Sequence, residues 1–145
     1  MNVNQKTARI AGVLYLIIFV GGIFAQFVVR QSLIVPGDAA ATASKIAASE
    51  GLFRVGIAGD LLMLLSDVAL AVVFFVLLRP VNNILSMMAA VFRLTQAALI
   101  GSSLVNLFYT LNLLHSADLM TVVGAEQLMI FLNAHAIGYS VAMIF

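Results

Sequence analysis

Two long apolar runs that meet at Arg79-Pro80 constrain the fold of this chain more than any other feature. The run Leu61–Leu78 reads LLMLLSDVALAVVFFVLL, and the run Ile84–Leu104 reads ILSMMAAVFRLTQAALIGSSL. A helix needs about 20 apolar residues to cross the hydrocarbon core of a bilayer, and both runs have roughly that length. Because proline disfavours helical geometry in the residue before it, the first helix should end there and the chain should turn back. The sequence therefore predicts a transmembrane hairpin.

Each arm of this hairpin carries one charged residue near its middle. Asp67 precedes Pro80 by the same number of residues as Arg93 follows it, so two helical arms place both side chains at the same depth. An unpaired charge at mid-bilayer costs from about 2.5 kcal/mol on insertion scales to more than ~10 kcal/mol in simulations, so such residues face the bundle interior and pair. We therefore predict an ion pair between Asp67 and Arg93.

The composition excludes a soluble domain and a nucleic-acid-binding protein. Hydrophobic residues make up 63% of the chain and charged residues 9%, whereas soluble domains have about 25% charged residues. The net charge of +1 and the scattered Lys and Arg residues give no basic face for nucleic acid. The absence of cysteine excludes disulfides and thiolate metal sites. We expect a protein whose partner is the lipid bilayer, with no cofactor and no metal.

The apolar pattern predicts an all-α polytopic transmembrane helical bundle of about four spans, forming one domain over residues 1–145. The approximate spans are 10–29, 53–78, 83–107 and 127–145. We interpret the first as an uncleaved span, because it is longer than the roughly 7–15 residues typical of a signal-peptide core. The apolar pattern of the third continues to Leu114, so this helix either tilts and projects or breaks near Gly101.

Two capping residues mark the starts of helices. Asp38, which follows Pro36-Gly37, is a good N-cap for an alanine-rich stretch that predicts a helix over about residues 38–50. This helix is too short and polar to cross a membrane, and we interpret it as a solvated surface connector. Asn82 or Asn83 can cap the third span in the same way.

The counts of Lys and Arg near the span ends are equal on the two sides of the membrane. One side has Lys6, Arg9 and Arg79, and the other has Arg30, Lys45 and Arg54. The first three lie in very short segments, and the loop 116–126 has two acids and no Lys or Arg, so the positive-inside rule favours a cytoplasmic N-terminus in the plasma membrane. The last span reaches Phe145 without a basic flank, and we expect the sequence to be a fragment.

Six polar side chains inside the predicted spans form a candidate intramembrane cluster. They are Asp60, Asp67, Arg93, Gln96, Asn133 and His135. Asp60 and Asp67 are seven residues apart, which puts them on one helix face about 10 Å apart along the axis. The depth argument places Asp60 level with His135. Asn133 and His135 are about 200° apart around their helix, so they do not both point into one pocket.

Three interpretations of this cluster stay open. In the structural interpretation, which we favour, the ion pair fixes helix register and the amides satisfy one another. In the second, Asp60 exchanges protons and His135 relays them, within a transporter or sensor for a small solute. The third is an intramembrane enzyme completed by C-terminal spans beyond this sequence. The two aspartates are too far apart to share a proton as a catalytic dyad, so the chain itself is not expected to be an enzyme.

Small residues four apart leave room for close contact between helices. Gly21 and Ala25 form one such pair, and Ala97 and Gly101 form another. Such pairs let neighbouring helix backbones approach closely. Homo- or hetero-oligomerisation through these faces stays open.

Several segments resemble one family of membrane proteins. They are PGDA at 36–39, LLRPVN at 77–82, FRLTQA at 92–97 and LNAH at 132–135. They resemble the domain of unknown function 4386 family, multipass membrane proteins found mainly in bacteria, and the resemblance extends over nearly the whole chain. It implies a helical integral membrane protein with further spans after Phe145. It implies no activity and no catalytic residue.

Overall fold

Five α-helices form most of the protein. The computed structural model describes residues 3–115 and 122–145, so residues 116–121 of the acidic loop lie outside the described ranges. The helices are α1 (Val3–Ile23), α2 (Ala39–Ala48), α3 (Glu50–Leu78), α4 (Asn83–Leu114) and α5 (Val122–Ala142). The described ranges contain no β-strand. Helices satisfy their own backbone hydrogen bonds, which an apolar chain in lipid requires. The predicted all-α class is confirmed.

The first helix is longer than its predicted span. After Ile23 it continues as a π-helical segment, Phe24–Arg30, and ends with a last turn, Gln31–Leu33. The label α1 denotes this whole continuous helix, residues 3–33, from here on. The π segment buries Ala25 and Val29 and carries Arg30 at its end. Arg30 therefore lies within the helix, one turn before its end.

A tight turn connects α1 to α2. Gly37 has φ of 79° there, a left-handed conformation that glycine adopts at no steric cost. Asp38 caps α2, as predicted, by accepting a hydrogen bond of 2.8 Å from the amide of Ala41. The solvated-connector interpretation holds for one face of α2 only, because Thr42 and Ile46 are buried and the helix packs against α5.

Helices α3 and α4 form the predicted hairpin. Of the two candidate caps, Asn82 is the one that acts: its side-chain oxygen accepts hydrogen bonds from the amides of Ile84 and Leu85 at 2.9 and 3.1 Å. Helix α4 then continues for 32 residues without a break at Gly101. At 1.5 Å per residue it is about 48 Å long, so it projects beyond a hydrocarbon core of about 30 Å or tilts within it.

The long helices form a row in which each packs antiparallel to the next. Helix α1 packs on α3, α3 on α4, and α4 on α5. The buried centre between them includes Met63, Leu70, Ile100, Leu104 and Leu132. Helices α1 and α5 are the first and last of this row. The row bends so that these two helices come close, with Arg30 5.9 Å from the ring of Tyr139, and a cleft lies between them.

Among the described residues, three helices are long and apolar enough to cross a membrane. They are Gln5–Leu33, Glu50–Leu78 and Asn83–Leu114. The second and third thus extend beyond the predicted 53–78 and 83–107. Helix α5 is not among the three because polar residues such as Glu126, Asn133 and His135 lower its hydropathy. It occupies 122–142 instead of 127–145, and its role as a fourth span stays a prediction.

Candidate functional site

The predicted ion pair between Asp67 and Arg93 is present. Arg93 Nη1 donates to Asp67 Oδ1 at 2.8 Å and to Gln96 Oε1 at 2.8 Å. The exposed fraction is 2% for the Asp67 side chain and 17% for that of Arg93. The Arg93 guanidinium also lies 5.0 Å from the centre of the Tyr15 ring, within the range of a cation–π contact. This pair therefore connects α3 to α4 and touches α1.

A second ion pair joins Asp60 to Arg30. Arg30 Nη2 donates to Asp60 Oδ2, and Nη1 donates to Gln26 Oε1 at 3.2 Å. Only 2% of the Asp60 side chain is exposed. Its second oxygen, Oδ1, is buried and has no hydrogen-bond partner in the described part of the chain. Asp60 is therefore held through one oxygen only.

The sequence pattern does not reveal Arg30 as a site residue, because it stands at the end of an apolar run like a flanking charge. One signal was available. Once Arg93 is assigned to Asp67, the hairpin offers Asp60 no cation at its depth, and Arg30 lies at the same end of the neighbouring helix.

His135 lines the cleft together with Arg30, and its depth relative to Asp60 stays a prediction. Its Nδ1 is 3.1 Å from the carbonyl oxygen of Ser103. A carbonyl oxygen only accepts, so Nδ1 carries the hydrogen of this bond. Gly138 makes this approach of α5 to α4 feasible, because a Cβ there would lie 2.8 Å from Ser103 Cβ. Tyr139 completes the group: its ring centre is 6.1 Å from that of His135 and 5.9 Å from the Arg30 guanidinium.

Asn133 does not join the cluster. Its side chain is exposed, and it lines neither of the two cavities beside the cluster. Asn133 and His135 lie on nearly opposite faces of α5, and the structure turns His135 inward. The other five predicted site residues are all buried or half-buried.

The cleft between the end of α1 and α5 has a volume of about 670 Å³. Its polar lining residues are Gln26, Arg30, Gln31, His135, Tyr139 and Ser140, and the remainder of its wall is mostly apolar. No carboxylate lines it among the described residues. A second cavity of about 420 Å³ shares Gln26, Tyr139 and Met143 with it and reaches Asp67 and Arg93. Arg30 therefore borders the first cavity, and Asp67 and Arg93 border the second.

The site does not have the composition of a metal centre. Within residues 3–115 and 122–145, no three His, Asp or Glu side chains are placed to hold an ion. Asp60 and Asp67 are each bonded to a guanidinium, whose positive charge opposes a bound cation.

One family model, described as a domain of unknown function (DUF4386), matches residues 10–145. The chain belongs to the DUF4386 family. Neither the curated proteins nor the solved structures contain a match. The family description assigns no activity, so function has to be argued from the geometry of the site.

The DUF4386 site offers hydrogen-bond donors to the cleft. Arg30, Gln26 and Tyr139 carry N–H or O–H groups at its wall. Asp60 does not line the cleft, but its carboxylate accepts a hydrogen bond from Arg30 and so fixes the guanidinium. A guanidinium fixed in this way is suited to binding a group that accepts hydrogen bonds. The apolar part of the wall suits an apolar tail.

Proposed function

We propose that this protein crosses the plasma membrane four times, with a cytoplasmic N-terminus, and binds a small amphipathic solute in the cleft between α1 and α5. Such binding is the central step of a carrier or a receptor. The observation that carries the proposal is the cleft itself. Its volume of about 670 Å³ falls within the roughly 300–1,000 Å³ typical of ligand pockets, and its wall combines apolar side chains with a few convergent polar ones.

The two ion pairs serve this site as supports. Asp60 and Asp67 hold α3 against α1 and α4, and they orient Arg30 and Arg93 at the cavity walls. The structural interpretation of the cluster and a binding function are therefore compatible, because the same contacts fix the helices and position the donors.

The contacts of α5 support its placement as a fourth span. Its partners lie between Gln96 and Tyr109 of α4: Phe131 stacks on Tyr109 with ring centres 5.4 Å apart, and Met143, just after α5, accepts a hydrogen bond at its Sδ from Gln96 at 3.8 Å. His135, a residue that lowers its hydropathy, faces α4 and is buried. A helix paired in this way with a membrane-spanning neighbour is suited to lie in the bilayer beside it.

Protection of a single cysteine tests the binding function, since the natural chain has none. Gln31 lines the cleft, and Ser32 is the next residue, also exposed, and does not line it. We expect octanol or octanoate to slow the reaction of Gln31→Cys with a water-soluble maleimide in nanodiscs, with saturation, and to leave Ser32→Cys unaffected. Equal effects at both positions, or an effect that never saturates, would contradict the proposal.

A further inference from the structure

Arg30 lies between the cleft and a buried carboxylate. Its side chain is 12% exposed and lines the cleft, whereas Asp60 does not line it. Asp60 instead borders a small void of about 10 Å³ together with Val29 and Gly56. Arg30 is thus the cation that a solute in the cleft meets first, and it already has a counterion.

Few other charges surround Asp60. Helix α5 faces the Arg30–Asp60 pair with Tyr139 and, beyond it, His135, while α4 contributes the apolar Leu107. Asp67 lies two turns along the same helix and is bonded to Arg93. The net charge of the two ion pairs is zero, so within the described residues the cluster holds no second unpaired cation for an added anion.

A carboxylate that binds Arg30 therefore competes with Asp60. One guanidinium neutralises one carboxylate, and a second carboxylate buried without a partner is strongly unfavourable. The conflict disappears if one of the two carboxylates takes up a proton. Asp60 is suited to this, because its Oδ1 has no hydrogen-bond partner within the described residues, and protonation there breaks no existing bond.

We propose that the cleft binds monocarboxylates, with the carboxylate bonded to Arg30 and one proton taken up by Asp60 for each anion bound. This names the substrate class of the proposed function and rests on it. The hydrogen bond between Arg30 and Asp60 Oδ2 breaks, and Arg30 forms a hydrogen bond to the bound anion. A proton released by the buffer acid forms an O–H bond at Asp60 Oδ1, and the conjugate base stays in solution. The bound anion and the proton cancel, so the net charge of the site is unchanged.

Calorimetry of the unmodified protein in nanodiscs tests this directly. Octanoate is titrated above about pH 6, where an alkyl carboxylate is ionised, in buffers that differ in ionisation enthalpy. The dependence of the binding heat on that enthalpy should give one proton taken up per octanoate. The affinity should rise about tenfold for each unit by which the pH falls. Octanol, which has the same chain without the charge, should bind with no proton uptake and no dependence on pH.

Two variants identify the group that takes the proton. Asp60→Asn should bind octanoate without proton uptake, since an amide does not titrate in this range. His135→Gln should still take up one proton; loss of uptake in this variant would assign the proton to His135 and overturn the inference. The measurement on the unmodified protein stands even if Asp60→Asn does not fold.

The outcomes separate the two proposals. Saturable binding of octanol and octanoate with equal affinity and no proton uptake would overturn the monocarboxylate inference and leave the binding cleft in place. Absence of saturable binding for both probes, with no protection of Gln31→Cys, would overturn the proposed function as well.

Discussion

Asp60 and Asp67 lie two turns apart on one face of α3, yet each is bonded to an arginine from a different neighbouring helix. Arg30 reaches Asp60 from the end of the first helix, and Arg93 reaches Asp67 from α4. Apolar contacts alone do not distinguish a helix neighbour from lipid, so polar contacts have a large part in fixing register inside a membrane. The two pairs set the depth and rotation of α3 against both of its neighbours.

The Asp67–Arg93 pair should show strong coupling in a double-mutant cycle. Asp67→Asn or Arg93→Gln alone leaves a buried charge without its partner, and each should lower the free energy of unfolding by about 3–5 kcal/mol. The double variant removes both charges and should be more stable than either single variant. Unfolding in mixed micelles of increasing dodecyl sulfate content measures this.

The exposed pair of Glu50 and Arg54 is the matched control for that cycle. Its side chains are 31% and 57% exposed, and their closest oxygen and nitrogen are 2.5 Å apart. An exposed pair contributes about 0–1 kcal/mol, so its cycle should show little coupling. The importance of the buried pair would be contradicted if the Asp67→Asn/Arg93→Gln double variant lost as much free energy of unfolding as the single variants, or more.

The hairpin was predictable because its geometry is local. Pro80 fixes the turn, and equal spacing on both sides places Asp67 opposite Arg93. The Arg30–Asp60 pair depends instead on how a π-helical segment packs against a separate helix, which no periodicity encodes. The cleft is harder still to predict from the sequence, since it results from a gap between α1 and α5 and not from a pattern of residues in either helix.

The close contact between Gly138 and Ser103 should be sensitive to one added methyl group. A Cβ at position 138 would lie 2.8 Å from Ser103 Cβ, which is fixed to the backbone of α4 and cannot rotate away. Gly138→Ala should therefore destabilise the protein by about 1–3 kcal/mol, measured by unfolding in mixed micelles.

Two further variants separate this clash from a general effect of alanine. A Cβ added at Gly12 would have no atom within 4 Å of it, so Gly12→Ala should be neutral or stabilising by up to about 1 kcal/mol. Ser103→Gly combined with Gly138→Ala restores the space and should recover part of the loss. If the double variant loses as much free energy of unfolding as Gly138→Ala alone, the clash with Ser103 Cβ is not the cause of the loss.

Asn82 should contribute more to stability than its neighbour Asn83. The Asn82 side chain accepts hydrogen bonds from two free amides at the start of α4. Replacing it with alanine should cost about 1 kcal/mol. Asn83 is exposed within the first turn, and Asn83→Ala should change the free energy of unfolding by less than about 0.5 kcal/mol. Equal losses would show that the side-chain cap is not what stabilises this helix start.

The four-span arrangement predicts which side of the membrane each turn faces. With the N-terminus in the cytoplasm, Ala40 and Glu126 lie outside, and Val81 lies inside. All three are exposed, so each can be replaced by the only cysteine in the chain. A membrane-impermeant maleimide should label positions 40 and 126 in intact cells, and position 81 only after permeabilisation. Reversal of all three would overturn the orientation and keep the first three spans. Labelling of position 126 only after permeabilisation, together with position 81, would show that α4 does not cross, because its two ends would then face one compartment.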